Sequence, residues 1–128
     1  MDRFIVVEQL FTEDTTRRLY ETPYAAGKGI NVSRVIRELG GHGVALGLVG
    51  GYEGLLLEGL LINAGVMTDF AKISGDTRTN IILREQTNDW QYVISATGPE
   101  VHATETGQFY QNSPIGWAKC LKILSNKQ

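Results

Sequence analysis

Apolar positions along this chain change their period several times, and each change marks an element. Residues 4–8 form a short apolar run with a β-branched centre, Ile5-Val6-Val7, and predict a strand. Residues 15–21 predict a second strand, Thr16, Arg18 and Tyr20 alternating with Arg17 and Leu19, with 11–14 as the connection. The period then becomes helical. Val32, Val35, Ile36 and Leu39 recur at spacings of three and four, and Gly40-Gly41 supplies a stop. Residues 44–49 are continuously apolar, the pattern of a buried strand in a parallel sheet. Residues 52–64 predict a second helix, with Leu56, Leu57, Leu60, Leu61 and Ala64 on a broad apolar face and Gly65 closing it. Strands are predicted at 68–73 and 78–84, a turn at Asn88-Asp89, and a strand at 90–95 in which Trp90, Tyr92 and Ile94 share one face. A last helix is predicted over 115–124, where Ile115, Ala118, Leu121 and Leu124 are spaced by three. The order strand, helix, strand makes the fold class α/β.

Composition sets boundaries rather than detail. With 42% hydrophobic residues, 20% charged residues and a formal net charge of −2, the chain has the make-up of a soluble globular protein. It lacks the basic run that a nucleic-acid partner demands. No apolar run is long enough to span a bilayer and no signal-peptide core opens the chain, so the expected location is cytoplasmic, away from membranes. A single cysteine, Cys120, excludes an internal disulfide, and with only His42 and His102 beside it there is no zinc set. The two histidines read as surface residues and the cysteine as an idle thiol. No internal repeat or low-complexity segment is present.

The chemistry gathers in one stretch, Tyr24-Ala25-Ala26-Gly27-Lys28-Gly29-Ile30-Asn31-Val32-Ser33-Arg34, where a turn of small residues carrying a lysine runs into the first helix. Gly27 and Gly29 let backbone approach a ligand closely. Lys28 and the helix N-terminus together offer positive potential to an anion. Asn31 fits two roles, capping its helix or hydrogen-bonding a ligand. Two nucleotide loops fail on spacing. A Walker loop needs a Gly five residues ahead of Gly27 and a Ser or Thr after Lys28, and Thr22 and Gly29 stand there. A dinucleotide fingerprint needs a third Gly where Val32 stands.

Ala26-Gly27-Lys28-Gly29-Ile30-Asn31-Val32 resembles the G-G-K-G-x-N-V signature of the ribokinase/phosphofructokinase-B (PfkB) family of sugar kinases. Met1-Asp2-Arg3, the run Ala45-Leu46-Gly47-Leu48-Val49-Gly50-Gly51, Gly75-Asp76-Thr77-Arg78-Thr79-Asn80 and Gly98-Pro99-Glu100 fall in the family's order. The resemblance thus covers roughly the first hundred residues, more than one short motif could claim. The continuation Ile30-Asn31-Val32-Ser33-Arg34 is most similar to the 1-phosphofructokinase and tagatose-6-phosphate kinase branches, which phosphorylate a sugar already carrying a phosphate.

This resemblance implies the N-terminal part of a ribokinase-like three-layer α/β fold with a small β-sheet lid. Residues 1–128 would form a partial sugar-kinase domain, with lid strands at about 4–21 and 78–95 and an α/β core at about 25–73. It implies substrate-binding roles for Asp2, whose carboxylate would accept sugar hydroxyls, and for Gly27 and Gly29, against whose backbone the sugar would sit. Lys28 and Arg78 would hold anionic substrate groups, and Asn31 a sugar hydroxyl. ATP and Mg²⁺ would be cofactors of the complete enzyme, bound mostly by its C-terminal half, and a homodimer would form through the lid.

The family's catalytic Asp sits in a G-x-G-D motif that this sequence lacks; Ser74-Gly75-Asp76 comes nearest but misses the first Gly. No residue of the chain is therefore expected to be catalytic, and the chain alone is expected to be inactive. A family strand ending in Asn-Pro is likewise expected to be missing ahead of Met1. Two departures bear on the substrate. Ala26 replaces the first Gly of the signature, and Ile82 stands where phosphosugar members commonly have a Lys. The expected function is the sugar-binding half of an ATP-dependent kinase acting on a ketohexose phosphate such as fructose 1-phosphate. The alternative is a non-catalytic sugar-phosphate-binding or lid-mediated dimerisation module.

Overall fold

A computed structural model describes residues 1–112 of the chain, so the helix expected at 115–124 and Cys120 lie outside the described residues. In order the elements are β1 (Asp2–Val7), β2 (Arg18–Tyr24), α1 (Lys28–Glu38), β3 (Val44–Val49), α2 (Gly51–Asn63), β4 (Met67–Lys72), β5 (Asn80–Glu85), β6 (Gln91–Ile94) and α3 (Ala103–Asn112). They build two sheets. One has four strands in the order β2-β1-β5-β6; the other pairs β3 with β4. β1 runs antiparallel to β2 and parallel to β5, and β5 returns through a hairpin into antiparallel β6. β3 and β4 are parallel, with α2 as the crossover between them.

The core forms where α2 lies on β3. Ala45 and Val49 of β3, Leu57 and Leu61 of α2, and Val66 behind it bury together with Met1 and Ala25, and Ile30, Leu56, Leu60 and Phe70 pack around them. The run of leucines supplies apolar groups on every side of α2, so burying one side leaves Leu55 and Ile62 in solvent. Both helices stop at glycine with φ of +80° (Gly40) and +73° (Gly65), the left-handed conformation that the sequence pattern anticipated. α1 buries no residue, and Val32, Val35 and Leu39 of its apolar stripe stand exposed.

Two expectations need correction, and one element was not anticipated. β2 occupies Arg18–Tyr24 rather than 15–21, because pairing with β1 sets its register from Val7↔Arg18 to Asp2↔Tyr24. Residues 15 and 16 belong instead to the loop, where the Thr16 hydroxyl oxygen accepts the Phe11 N–H and Asp14 accepts the Thr15 N–H. Trp90 falls outside β6. It sits in the hairpin turn, where Asn88 Oδ1 accepts its N–H after Asp89 has turned through a φ of +62°. Finally, α3 has no counterpart in the hydrophobic pattern, since Phe109 and Tyr110 are its only large apolar residues.

What starts α3 is polar. Glu105, in its first turn, accepts the N–H of His102 (2.9 Å) and the N–H of Ser74 (2.7 Å), so one carboxylate caps the helix and ties it to the loop after β4. Those hydrogen bonds, the Ser74 one first, hold its carboxyl below the usual range. A depressed carboxylate pKa stabilises the fold above the unfolded value and loses that contribution as pH falls through the folded value. Glu105→Gln is therefore expected to melt below the wild type at neutral pH, with the gap closing on acidification; thermal scans from neutral to acid pH check this, and a pH-independent gap contradicts it.

Candidate functional site

β1 begins between two neighbours, with Asp2 opposite Tyr24 at the end of β2 and opposite Asn80 at the start of β5. From Tyr24 the chain passes through Ala25-Ala26-Gly27 directly into α1, so the first turns of that helix are drawn over the same end of the sheet. The junction forms an open, solvent-facing cavity of about 420 Å³, a size usual for small-molecule sites. Asp2, Phe4 and Ile82 line it from the sheet, Tyr24 and the two alanines from the connection, Asn31 and Arg34 from α1. Asp2 and Phe4 alternate with Arg3 along the strand, so they share the cavity face while Arg3 points away.

The half-buried Asp2 carboxylate is held from one side. Asn80 Nδ2 donates to Asp2 Oδ1 (2.9 Å), and Asn80 is itself fixed, its Oδ1 accepting the N–H of Ala96 (3.1 Å) and its own N–H donating to Met1 O (3.0 Å). Among the described residues no donor sits on Asp2 Oδ2, which leaves an oxygen to accept a ligand hydroxyl.

The start of α1 explains the other wall. Gly27 stands before the helix with φ +141° and ψ 148°, a conformation that side chains disfavour, and this allows the chain to enter the helix at Lys28. The capping role considered for Asn31 is thereby overturned. Asn31 lies inside the first turn with its N–H donating to Gly27 O (2.8 Å), and the exposed residue borders the cavity instead. Lys28, Asn31 and Arg34 follow at spacings of three and form one stripe of the helix. Arg34 is half-buried with Nη1 near Ala25 O at 3.5 Å, and it is the cation lining the cavity. Sequence reading passed over Arg34 and Asn80 as site residues. The three-residue spacing from Lys28 was the signal for Arg34; nothing local pointed to Asn80 as the partner of Asp2.

The remaining candidates are spread around this centre. Lys28 is exposed at the first helical position, and neither it nor Gly27 nor Gly29 lines the cavity. Gly27 and Gly29 border a separate, mostly apolar groove of about 580 Å³ between α1 and β3. Arg78 is exposed on the loop ahead of β5 and also does not line the cavity. Its charge does reach the Met1 amino group, whose pKa is lowered first by burial, with Asp2 opposing and Arg78 adding to the drop. The structure thus brings Asp2 and Asn31 into one cavity and leaves Gly27, Lys28, Gly29 and Arg78 outside its lining.

The family model described as "pfkB family carbohydrate kinase" matches residues 1–125. The chain is similar to a 1-phosphofructokinase of Borreliella burgdorferi, 36% identical over 105 residues that cover 82% of this chain and 34% of the relative. It is also similar to a 1-phosphofructokinase of Bacillus subtilis, 36% identical over 101 residues, covering 79% of this chain and 32% of the relative. Among solved structures, phosphofructokinase-2 from Escherichia coli in complex with fructose-6-phosphate superposes with a TM-score of 0.78 at 27% identity, over 86% of this chain and 36% of that one. The chain spans about a third of the length of the curated relatives it matches.

Proposed function

Since this chain belongs to the pfkB family of carbohydrate kinases and has its ribokinase-like α/β fold, we propose that it carries the sugar-binding, N-terminal portion of an ATP-dependent sugar-phosphate kinase. The reaction served is phosphoryl transfer to a hydroxyl of a ketohexose phosphate such as fructose 1-phosphate. One observation carries this reading: an Asp (Asp2), an Asn (Asn31) and an Arg (Arg34) line a single open cavity of about 420 Å³. A carboxylate and a carboxamide suit sugar hydroxyls, and a guanidinium suits a phosphate. Lys28 and Arg78, outside the lining, would act on the phosphate from the rim, with Gly27 and Gly29 leaving the approach open. In this reading the four-stranded sheet is the lid, residues about 4–21 and 78–95, over a core of about 25–73.

In this reading ATP and Mg²⁺ are held by the rest of the complete enzyme. The sequence has no G-x-G-D, and among the described residues no group of three or more His, Cys, Asp or Glu could hold a metal ion. We assign no residue of this chain to either, and the chain alone is expected to lack phosphotransferase activity. Calorimetric titration with fructose 1-phosphate and with fructose, followed by an ATP-coupled assay, tests both statements. Binding of the phosphorylated sugar in preference to fructose, without turnover, is the expected result; no binding of fructose 1-phosphate refutes the site, and turnover by the chain alone refutes the inactivity.

A second reading, a stand-alone sugar-phosphate binder that dimerises through the sheet, is favoured by the outer strand and its turn, where Trp90, Val93 and Ile94 are 62%, 62% and 57% exposed. Sedimentation of the purified chain tests this reading, which requires a dimer that Val93→Glu disrupts; a monomeric wild-type chain overturns it.

A further inference from the structure

Glu53, in the first turn of α2, lies outside the cavity lining but grips both strands that carry the Asp2–Asn80 pair. Arg3 Nη2 donates to Glu53 Oε1 at 2.6 Å, and Thr79 Oγ1 donates to Glu53 Oε2 at 3.0 Å. Arg3 immediately follows Asp2, and Thr79 immediately precedes Asn80. Asp2 and Asn80 are the first partners of the parallel β1–β5 pairing and share the 2.9 Å side-chain hydrogen bond. A single carboxylate thus ties together the entries of two strands, working from the sheet face opposite the cavity. The second arm of the same guanidinium extends the grip to β2, Arg3 Nη1 donating to Glu21 Oε1 at 2.6 Å. Each arm makes a short charge-assisted hydrogen bond to a different carboxylate, so the guanidinium bridges α2 and β2.

Glu53 is suited to the task as an anion. The Arg3 hydrogen bond, with a smaller contribution from Thr79 and against the opposing effect of burial, holds its carboxyl below the usual range. Its place in the first turn of α2 also favours negative charge. Both oxygens are used, one by β1 and one by the residue that leads into β5, so neither donor can be lost without loosening one side of the pair.

We propose that Glu53 is a positioning residue for the sugar site: through Arg3 and Thr79 it fixes the start of β1 against the start of β5 and so sets where the Asp2 carboxylate meets its ligand. The inference rests on the reading of Asp2 as the sugar-hydroxyl acceptor, and its structural half can be tested apart from that reading. The side-chain amide resonances of Asn80 in the nitrogen-edited NMR spectrum of the ligand-free chain report the Asp2–Asn80 hydrogen bond directly. Glu53→Gln and Thr79→Val are expected to move these resonances toward their positions in Asp2→Ala, while Thr79→Ser, which keeps the hydroxyl, restores them.

Glu105→Gln, which loosens α3 away from the site, should leave the resonances in place and so separates positioning from general loss of stability. In calorimetry, Glu53→Gln should weaken fructose 1-phosphate binding by roughly two- to tenfold, the size of one lost hydrogen bond. Unmoved Asn80 resonances in Glu53→Gln overturn the positioning role. Unchanged affinity in Glu53→Gln where Asp2→Ala abolishes binding overturns it too. If Asp2→Ala itself binds like the wild type, the sugar reading fails, and the resonances still decide whether Glu53 sets the strands.

Discussion

Leu61→Ala is expected to remove roughly 2–5 kcal/mol of folding stability, a large share of the ~5–15 kcal/mol that domains of this size possess. Leu61 is 0% exposed, and Val49, Leu57 and Val66 bury with it in one cluster, so truncation leaves a cavity inside the core that α2 shares with β3. The adjacent residue provides the control. Ile62 has almost the same side chain but is 64% exposed, and Ile62→Ala should cost less than about 0.5 kcal/mol. Urea titration of both variants checks the pair; equal shifts in midpoint would show that α2 is not seated on β3 through Leu61.

The second large effect concerns binding. Asp2→Ala should weaken fructose 1-phosphate by about 10- to 150-fold, because hydrogen bonds to a charged group contribute ~1.5–3 kcal/mol and each 1.4 kcal/mol is tenfold. The substitution also strands the Asn80 amide that donates to Asp2. Arg34→Ala should weaken fructose 1-phosphate and spare fructose, since its guanidinium is the cation lining the cavity and Ile82 offers none. Lys28→Ala and Arg78→Ala should each weaken the phosphorylated sugar by less, and Lys72→Ala, at an exposed lysine outside the cavity lining, not at all. Calorimetry of this set against both sugars gives the ranking; equal losses in Lys28, Arg78 and Lys72 variants would dissolve the proposed site into a general charge effect.

Much of this molecule can be read from short-range pattern, because a local period needs no distant partner. β3 falls at 44–49 as its continuous apolar run predicts, α2 departs by one residue at each end, and Gly40 and Gly65 end their helices in the left-handed conformation. The signature around Gly27 and Asn31 was equally legible, since its glycines and polar residues are fixed by spacing alone. The site was legible only in part. Of the candidates, Asp2 and Asn31 line one cavity and Arg78 stands apart from it, because a motif records which residues occur in order and not which way a loop carries them.

What tertiary structure decided is whatever depends on register and on long-range donors. The position of β2 was set by pairing with β1 rather than by its own alternation, and α3 was started by a carboxylate shared with a loop that lies 31 residues earlier. The start of α1 was decided by the backbone of Gly27, so the residue that sequence suggested as a cap became a cavity wall. The clamp of Glu53 on Arg3 and Thr79 joins positions 50 and 26 residues apart. Periodicity in the sequence determines which face of a segment is apolar; only the folded chain brings together hydrogen-bonding groups that sequence keeps far apart, and in this protein those groups hold the site.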